Sequence, residues 1–213
     1  MKAAIVLAGG AGSRLGVGPP KALRPFAGTT LLEIAVAKAR AWADEVRVSA
    51  PPGLELPVPE ELVVRDLAAF GPRAGPLIAL ASSLEGLSAP WALAMAVDLP
   101  FARSELFDLL WTARERPATP DPLVPGHHEP LAVVPWTARG PEPLLAVYRR
   151  EAAAIFLAAA KDRERAVHRV LASLPTVRVD EAELRSVDPD LDSLRNLNTP
   201  EEWSRAEDDY LSR

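Results

Sequence analysis

Cysteine is absent from the 213 residues. Disulfides and every metal site built on thiolates are therefore excluded. Glutamine is absent too, and asparagine occurs only at Asn196 and Asn198. Proline is abundant and arginine far exceeds lysine, a pattern that suits a thermophile with few thermolabile amides and stiffened loops. A GC-rich genome gives the same bias toward Arg, Ala and Pro; on either account the two remaining asparagines draw interest. No apolar run reaches membrane-spanning length. The opening strand is too short for a signal peptide and has neither a charged n-region nor a cleavage site. A soluble cytoplasmic protein without a membrane partner is expected. The net charge is −5 and no basic stripe emerges, whereas nucleic-acid binders need dense positive charge against phosphate. No nucleic-acid partner is expected. Nor is there a repeat, a low-complexity tract or an internal boundary, so residues 1–213 read as one domain.

What is there is concentrated at the start. Lys2 to Ala8 is a short apolar run, the mark of a strand buried in a parallel sheet. It feeds a loop running to Lys21 that holds five of the chain's 12 glycines, together with Arg14. Glycines let a backbone turn sharply and bring its N–H groups against a ligand. A flexible strand–helix turn needs one or two; five, with Arg14 and Lys21, point to phosphate binding. Lys21 is one of only four lysines, and Pro19 and Pro20 fix its approach. A point charge reaching a phosphate suits lysine. No Gly-Lys-Ser/Thr ends the loop, and the third glycine comes late, at Gly16. Both the Walker and the dinucleotide patterns therefore fail.

The rest alternates. Thr30 and Glu33 form a capping box for a helix to about Ala43. Strands are expected at Glu45–Ala50, Leu62–Arg65, Trp91–Val97, Leu131–Val134, Leu144–Tyr148 and Thr176–Asp180, with a further one near Leu123–Val124. Helices are expected at Leu77–Leu87, Ser104–Arg116, Arg149–Ala160 and Glu164–Leu174. Asp188 to Asn198 reads as irregular. Thr199, Pro200 and Glu202 then give an N-cap, a proline at N1 and a capping-box acid for a terminal helix. Such alternation predicts an α/β fold: a three-layer, mostly parallel Rossmann-like sheet with helices on both faces. Residues 120–185 read as a smaller lobe on that sheet.

Ligands in such sheets bind at the carboxyl ends of the strands. The glycine loop, Asp66 and Asp98 all fall there. Asp98 follows a wholly apolar strand, and a carboxylate at that rim suits Mg²⁺, which takes one or two carboxylates and fills its shell with water and phosphate oxygen. The alternative, a helix N-cap, is disfavoured by the intervening Pro100 and Phe101. For Asp66 a simple turn-forming role is nearly as good. His127-His128-Glu129 lacks a third ligand at regular spacing, and adjacent histidines in a strand face opposite ways, so a loop is the better reading. His168 reads as structural. No Ser-His-Asp arrangement and no acid pair for glycoside chemistry are legible.

Taken together, Leu7-Ala8-Gly9-Gly10, Arg14, Gly16 and Lys21, then Gly75-Pro76-Leu77, Val97-Asp98-Leu99-Pro100, Glu142 to Tyr148 and Asn196 to Glu202 resemble the molybdenum cofactor guanylyltransferases. These share the nucleotidyltransferase fold with the sugar-phosphate nucleotidylyltransferases. The resemblance implies transfer of GMP from GTP to the terminal phosphate of molybdopterin, release of pyrophosphate and dependence on Mg²⁺. It implies a nucleotide-binding half over 1–118 and an acceptor-binding half with the terminal helix over 119–213. Molybdoenzymes or cofactor-insertion proteins are the implied onward partners. By the same resemblance Leu7, Ala8, Gly9 and Gly10 would meet guanine and ribose, Lys21 and Arg14 the phosphates, and Asp66 the nucleoside. Asp98 would bind Mg²⁺ and nucleotide, and Asn198 would lie near the reacting phosphates. Ser49 stands at a nucleotide-contacting position where the family carries Asn. The loop is one residue longer than usual before Lys21, Pro20 replaces a frequent Asp, and Pro125–Pro143 is long. Gly9-Gly10 is the guanylyl form; cytidylyl relatives more often read Leu-Ala-Ala-Gly. The competing readings are a related transferase using CTP or a sugar phosphate, and a non-catalytic nucleotide-binding or adaptor protein on the same fold. A dehydrogenase is a distant third.

Overall fold

The computed structural model of the chain describes residues 1–9, 18–71, 75–120 and 129–212. Its centre is β1 (Ala3–Leu7), every residue of which is buried. Five apolar residues without a polar alternation cannot face water on either side, so the strand has to be covered twice. It pairs in parallel with β4 (Glu45–Ala50) on one side and with β6 (Trp91–Ala96) on the other. β5 (Val63–Arg65) extends the sheet past β4, also in parallel.

The second half of the chain continues the same sheet. β9 (Leu145–Arg149) lies antiparallel between β6 and β7 (Ala132–Thr137), and β10 (Thr176–Asp180) is parallel to β7 at the edge. The order is β5-β4-β1-β6-β9-β7-β10, with the two-residue β8 (Gly140–Pro141) paired to β7. The strands of the lobe expected over 120–185 are thus integral to the main sheet. The small strands β2 (Pro25–Phe26) and β3 (Thr29–Thr30) form a separate hairpin.

Alternation along β1 assigns the layers. Ala4 and Val6 join a core with residues of α1 (Leu31–Trp42), α3 (Ser104–Ala113), α6 (Glu181–Val187) and α7 (Pro200–Leu211). Ala3, Ile5 and Leu7 join the opposite core with α2 (Pro76–Leu84), α4 (Ala152–Lys161) and α5 (Val167–Leu171). The three-layer α/β reading holds. Four helices are shorter than expected: α2 ends at Leu84 and α3 at Ala113, Arg149 still belongs to β9 ahead of α4, and α5 begins only at Val167, where the Glu164 carboxylate accepts from the N–H groups of Arg165 and Ala166 in the turn before it. The periodicity of seven residues was too brief to mark α6, which is capped by Asp180. The strand expected near Leu123–Val124 and the His127-His128 pair lie outside the described residues.

The strand order places a switch between β1 and β6. From β1 the chain builds outward to β4 and β5, then returns across β1 to β6. Connections leave these two strands in opposite directions, and a crevice opens above their carboxyl ends.

Candidate active site

Three segments distant in sequence meet at that crevice. The first is the turn of 3-10 helix Lys21–Leu23, entered from Pro19 and Pro20. Lys21 is only 8 % exposed. Its ammonium lies 2.5 Å from Asp98 Oδ2 and donates to Asn198 Oδ1 at 3.1 Å. Enclosing an ammonium is costly unless it is paired and hydrogen-bonded, and Asp98 and Asn198 supply those contacts. Asp98 is the second segment. It stands just past β6, half-buried, with its backbone carbonyl accepting from the Leu197 N–H at 3.3 Å. The helix that follows is capped at Arg103, five residues later, so Asp98 has no capping task.

Asn198 is the third. The local sequence sets its place: the Asn198 N–H donates to Glu202 Oε2 at 2.7 Å and the Thr199 N–H to the same oxygen at 3.1 Å, while the Glu202 N–H donates to Thr199 Oγ1 at 3.2 Å. This capping box ties the residue before the cap to the first turn of α7. α7 is in turn docked onto both other segments. Phe26 makes edge-to-face contacts with Trp203 at 5.6 Å and Tyr210 at 5.4 Å. Glu207 accepts from the Ala27 N–H at 3.0 Å. Tyr210 also meets Phe101, at 5.9 Å, beside the Asp98 turn. Aromatic pairs of this geometry contribute about 0.5–1.5 kcal/mol each beyond their buried area, so the terminal helix clamps Lys21 and Asp98 together. Upstream, the fully buried Asp188 carboxylate accepts from the Ser193 N–H at 2.7 Å, and Ser193 Oγ accepts from the Arg103 N–H at 3.1 Å. The irregular run into Asn198 is thereby anchored to the start of α3.

On the β4–β5 side lies a second polar pair. Ser49 is fully buried and its hydroxyl donates to Asp66 Oδ1 at 2.7 Å. Burial pushes the Asp66 carboxyl above its ordinary range, and the Ser49 hydrogen bond partly opposes this. With its hydroxyl committed, Ser49 orients Asp66. Leu7 and Ala8 are buried, and the sheet uses the Leu7 carbonyl, which accepts from Val97 N–H, and the Ala8 N–H, which donates to the Ser49 carbonyl. Gly9 is exposed beyond them. Gly10 and Arg14 lie outside the described residues. On the far side, Gly75 opens α2 with φ +84° and Pro76 at N1, a conformation that glycine adopts without the strain a side chain brings.

The arrangement brings Lys21, Asp98 and Asn198 into contact, with Asp66 and Ser49 apart as a pair. Glu202, which the sequence displayed only as a helix cap, also holds the Asn198 backbone in place. No group of three or more His, Asp or Glu side chains able to hold a metal occurs among the described residues. Nor, among them, is any helix long and apolar enough to cross a membrane. What remains is one cation, one carboxylate and one amide at the mouth of a switch point: parts for neutralising and aligning a phosphate chain.

Residues 4–179 match the family described as the MobA-like NTP transferase domain. The chain is 34 % identical, over 94 % of its length and 88 % of the relative's, to a probable molybdenum cofactor guanylyltransferase of Methanosarcina acetivorans. Its fold superposes at a TM-score of 0.76 on the molybdopterin-guanine dinucleotide biosynthesis protein A of Archaeoglobus fulgidus, 24 % identical, with both chains covered in full. A further neighbour, a Mycobacterium tuberculosis protein solved in complex with manganese, matches at a TM-score of 0.60 and 15 % identity, covering 97 % of each chain.

Proposed function

The chain belongs to the MobA-like NTP transferase family, and from that premise we propose that it transfers GMP from GTP to molybdopterin. An oxygen of the acceptor's terminal phosphate attacks the α-phosphorus of GTP, forming a new P–O bond. The bond from that phosphorus to the bridging oxygen breaks, and pyrophosphate leaves. The observation that carries this reading is the Lys21 ammonium held between Asp98 and Asn198 above the β1–β6 switch. Nucleotidyl transfer needs positioning and charge neutralisation more than covalent catalysis, and no protein nucleophile is required.

Asp98 fits Mg²⁺. A single half-buried carboxylate is enough for an ion that keeps several waters and takes phosphate oxygens. When bound, the ion would neutralise developing charge on the GTP phosphates. Lys21 and Asp98 neutralise each other; GTP phosphates would give Lys21 a further anionic partner and leave Asp98 for the cation. Arg14 adds charge on the same loop. Asn198 holds the lysine's direction. Ala8, Gly9 and Gly10 offer backbone to the base and ribose, Leu7 shapes the floor, and Asp66 set by Ser49 meets the nucleoside. Residues 119–213 take the acceptor, the work is cytoplasmic, and the product passes to molybdoenzymes or cofactor-insertion proteins.

The test is to incubate the protein with Mg²⁺, molybdopterin and GTP, CTP or UTP in turn, and to weigh the product. GMP–molybdopterin is expected from GTP. A CMP adduct formed in preference would replace guanylyl by cytidylyl transfer. Absence of any nucleotide adduct would leave a non-catalytic binder on this fold.

A further inference from the structure

The β8–β9 turn carries a feature that the reaction above does not use. β7 pairs with β9 at Ala132–Tyr148 and Val133–Val147, and with β8 at Trp136–Pro141 and Thr137–Gly140. Between Val133 and Trp136 lie two residues; between Pro141 and Val147 lie five. Three extra residues are therefore packed into one side of the ladder. Leu145 and Ala146 stay in β9, paired on its other edge with β6 as Val147 and Tyr148 are, and Glu142, Pro143 and Leu144 form a bulging turn that leads from β8 into β9. Bulges of this kind bend a strand and re-aim its side chains.

This one is firmly held. The Glu142 N–H donates to the Pro135 carbonyl at 3.0 Å, and the Glu142 carbonyl accepts from Leu145 N–H at 3.3 Å. The Pro143 carbonyl accepts from the buried Tyr148 hydroxyl at 2.7 Å. The Leu144 carbonyl accepts from Ala96 N–H at 2.7 Å, two residues before Asp98. All three carbonyls are used, and the bulge sits against the end of the strand that carries Asp98. The Glu142 carboxylate, half-buried, makes no hydrogen bond and no ion pair among the described residues. Burial raises its pKa, and the exposed Arg139 on the same hairpin draws it back. A half-desolvated carboxylate without a donor carries a cost that a ligand's N–H groups would relieve.

Its side of the site says which ligand. Lys21 and Asp98 lie above β1 and β6. Asp66 lies beyond β4, and Glu142 lies on the opposite flank beside β9. At about 4.8 Å per strand, β5 and β9 stand roughly 19 Å apart across the phosphate centre. One flank thus has the buried Asp66 carboxylate and the other the half-buried Glu142. We propose that Glu142 is an acceptor-binding residue that takes the 2-amino-4-oxopyrimidine edge of the pterin ring, its two oxygens accepting from the ring N3–H and the 2-amino group. Two parallel donors match a carboxylate in bidentate fashion. The bulge re-aims Glu142 toward the acceptor and holds it there.

The inference rests on molybdopterin being the acceptor. The test is steady-state turnover with molybdopterin and whichever nucleoside triphosphate the wild type uses, comparing Glu142→Gln and Glu142→Asp. In Glu142→Gln an amide N–H₂ faces a ring donor. A hydrogen bond to a charged group is lost, and the KM for molybdopterin is expected to rise about tenfold or more. The KM for the nucleotide and kcat should stay within about twofold, the split that a general loss of structure would not give. Glu142→Asp keeps the charge and should fall between. An unchanged molybdopterin KM in Glu142→Gln, or a rise in the nucleotide KM in its place, would overturn the assignment. If the wild type does not turn over molybdopterin at all, the functional reading fails, and this inference fails with it.

Discussion

The capping box of α7 allows position and stability to be separated. Glu202 accepts from the N–H groups of Asn198 and Thr199, while Thr199 Oγ1 accepts from the Glu202 N–H. Removing either side chain costs the helix about 1 kcal/mol, or a fall in Tm of about 2–4 °C for a chain of this size. Only Glu202→Ala releases the Asn198 backbone. Asn198 then no longer holds its amide oxygen at 3.1 Å from the Lys21 ammonium, and a misplacement on the scale of 1 Å near reacting groups costs up to about 10²-fold. Glu202→Ala should therefore lower kcat for pyrophosphate release about 10–100-fold, and Thr199→Ala should lower it by less than about threefold at equal loss of Tm. Glu202→Gln keeps an acceptor and should keep most activity. In an Asn198→Ala background Glu202→Ala should cost no further activity, since residues acting through one contact are not additive. Equal activity losses for Thr199→Ala and Glu202→Ala, or full additivity with Asn198→Ala, would refute the argument.

Three further outcomes follow from the same geometry. Asp98→Asn should cost at least about 10²-fold in Mg²⁺-dependent turnover and also lower Tm, because the enclosed Lys21 ammonium loses its carboxylate partner; turnover at the wild-type rate would remove Asp98 from the reaction. The Asp66 carboxyl is raised above its ordinary 3.8 by burial, so it favours the fold below that pH and loses this contribution as pH rises through the folded-state value. Asp66→Asn should accordingly raise Tm at neutral pH, with the gain shrinking as pH falls toward 4; a gain that grows on acidification would reverse the sign. Gly75→Ala meets no atom within 4 Å among the described residues but must hold φ +84° with ψ 178°, so calorimetry should show a loss of about 1–3 kcal/mol, the cost of placing a side chain in a backbone region that glycine alone occupies readily.

Much of the fold was legible because its cause is local. The apolar runs of β1 and β6 can only be doubly covered strands, and the capping boxes of α1 and α7 are written in four residues each. Asp98 was legible for the same reason: a carboxylate directly after an apolar strand has one place to be. Ser49 was harder. Its type allowed a ligand contact, but its hydroxyl is spent on Asp66, seventeen residues away. Short elements escaped where periodicity had too little length to register, as with α6. The Glu142 bulge escaped because it exists only as a mismatch between two ladders.

The sequence by itself determined the layers, the glycine-rich approach to Lys21, and the chemical inventory of one cation, one carboxylate and one retained asparagine. Each follows from residue type and spacing within a dozen positions. Only the tertiary structure decided that Lys21, Asp98 and Asn198, up to 177 positions apart, touch one another. That meeting depends on strand order, on the return of the chain across β1 to β6, and on aromatic contacts of α7 with Phe26 and Phe101. Contacts of that range are set by which faces can be buried together, a property of the whole packed chain and of no segment within it.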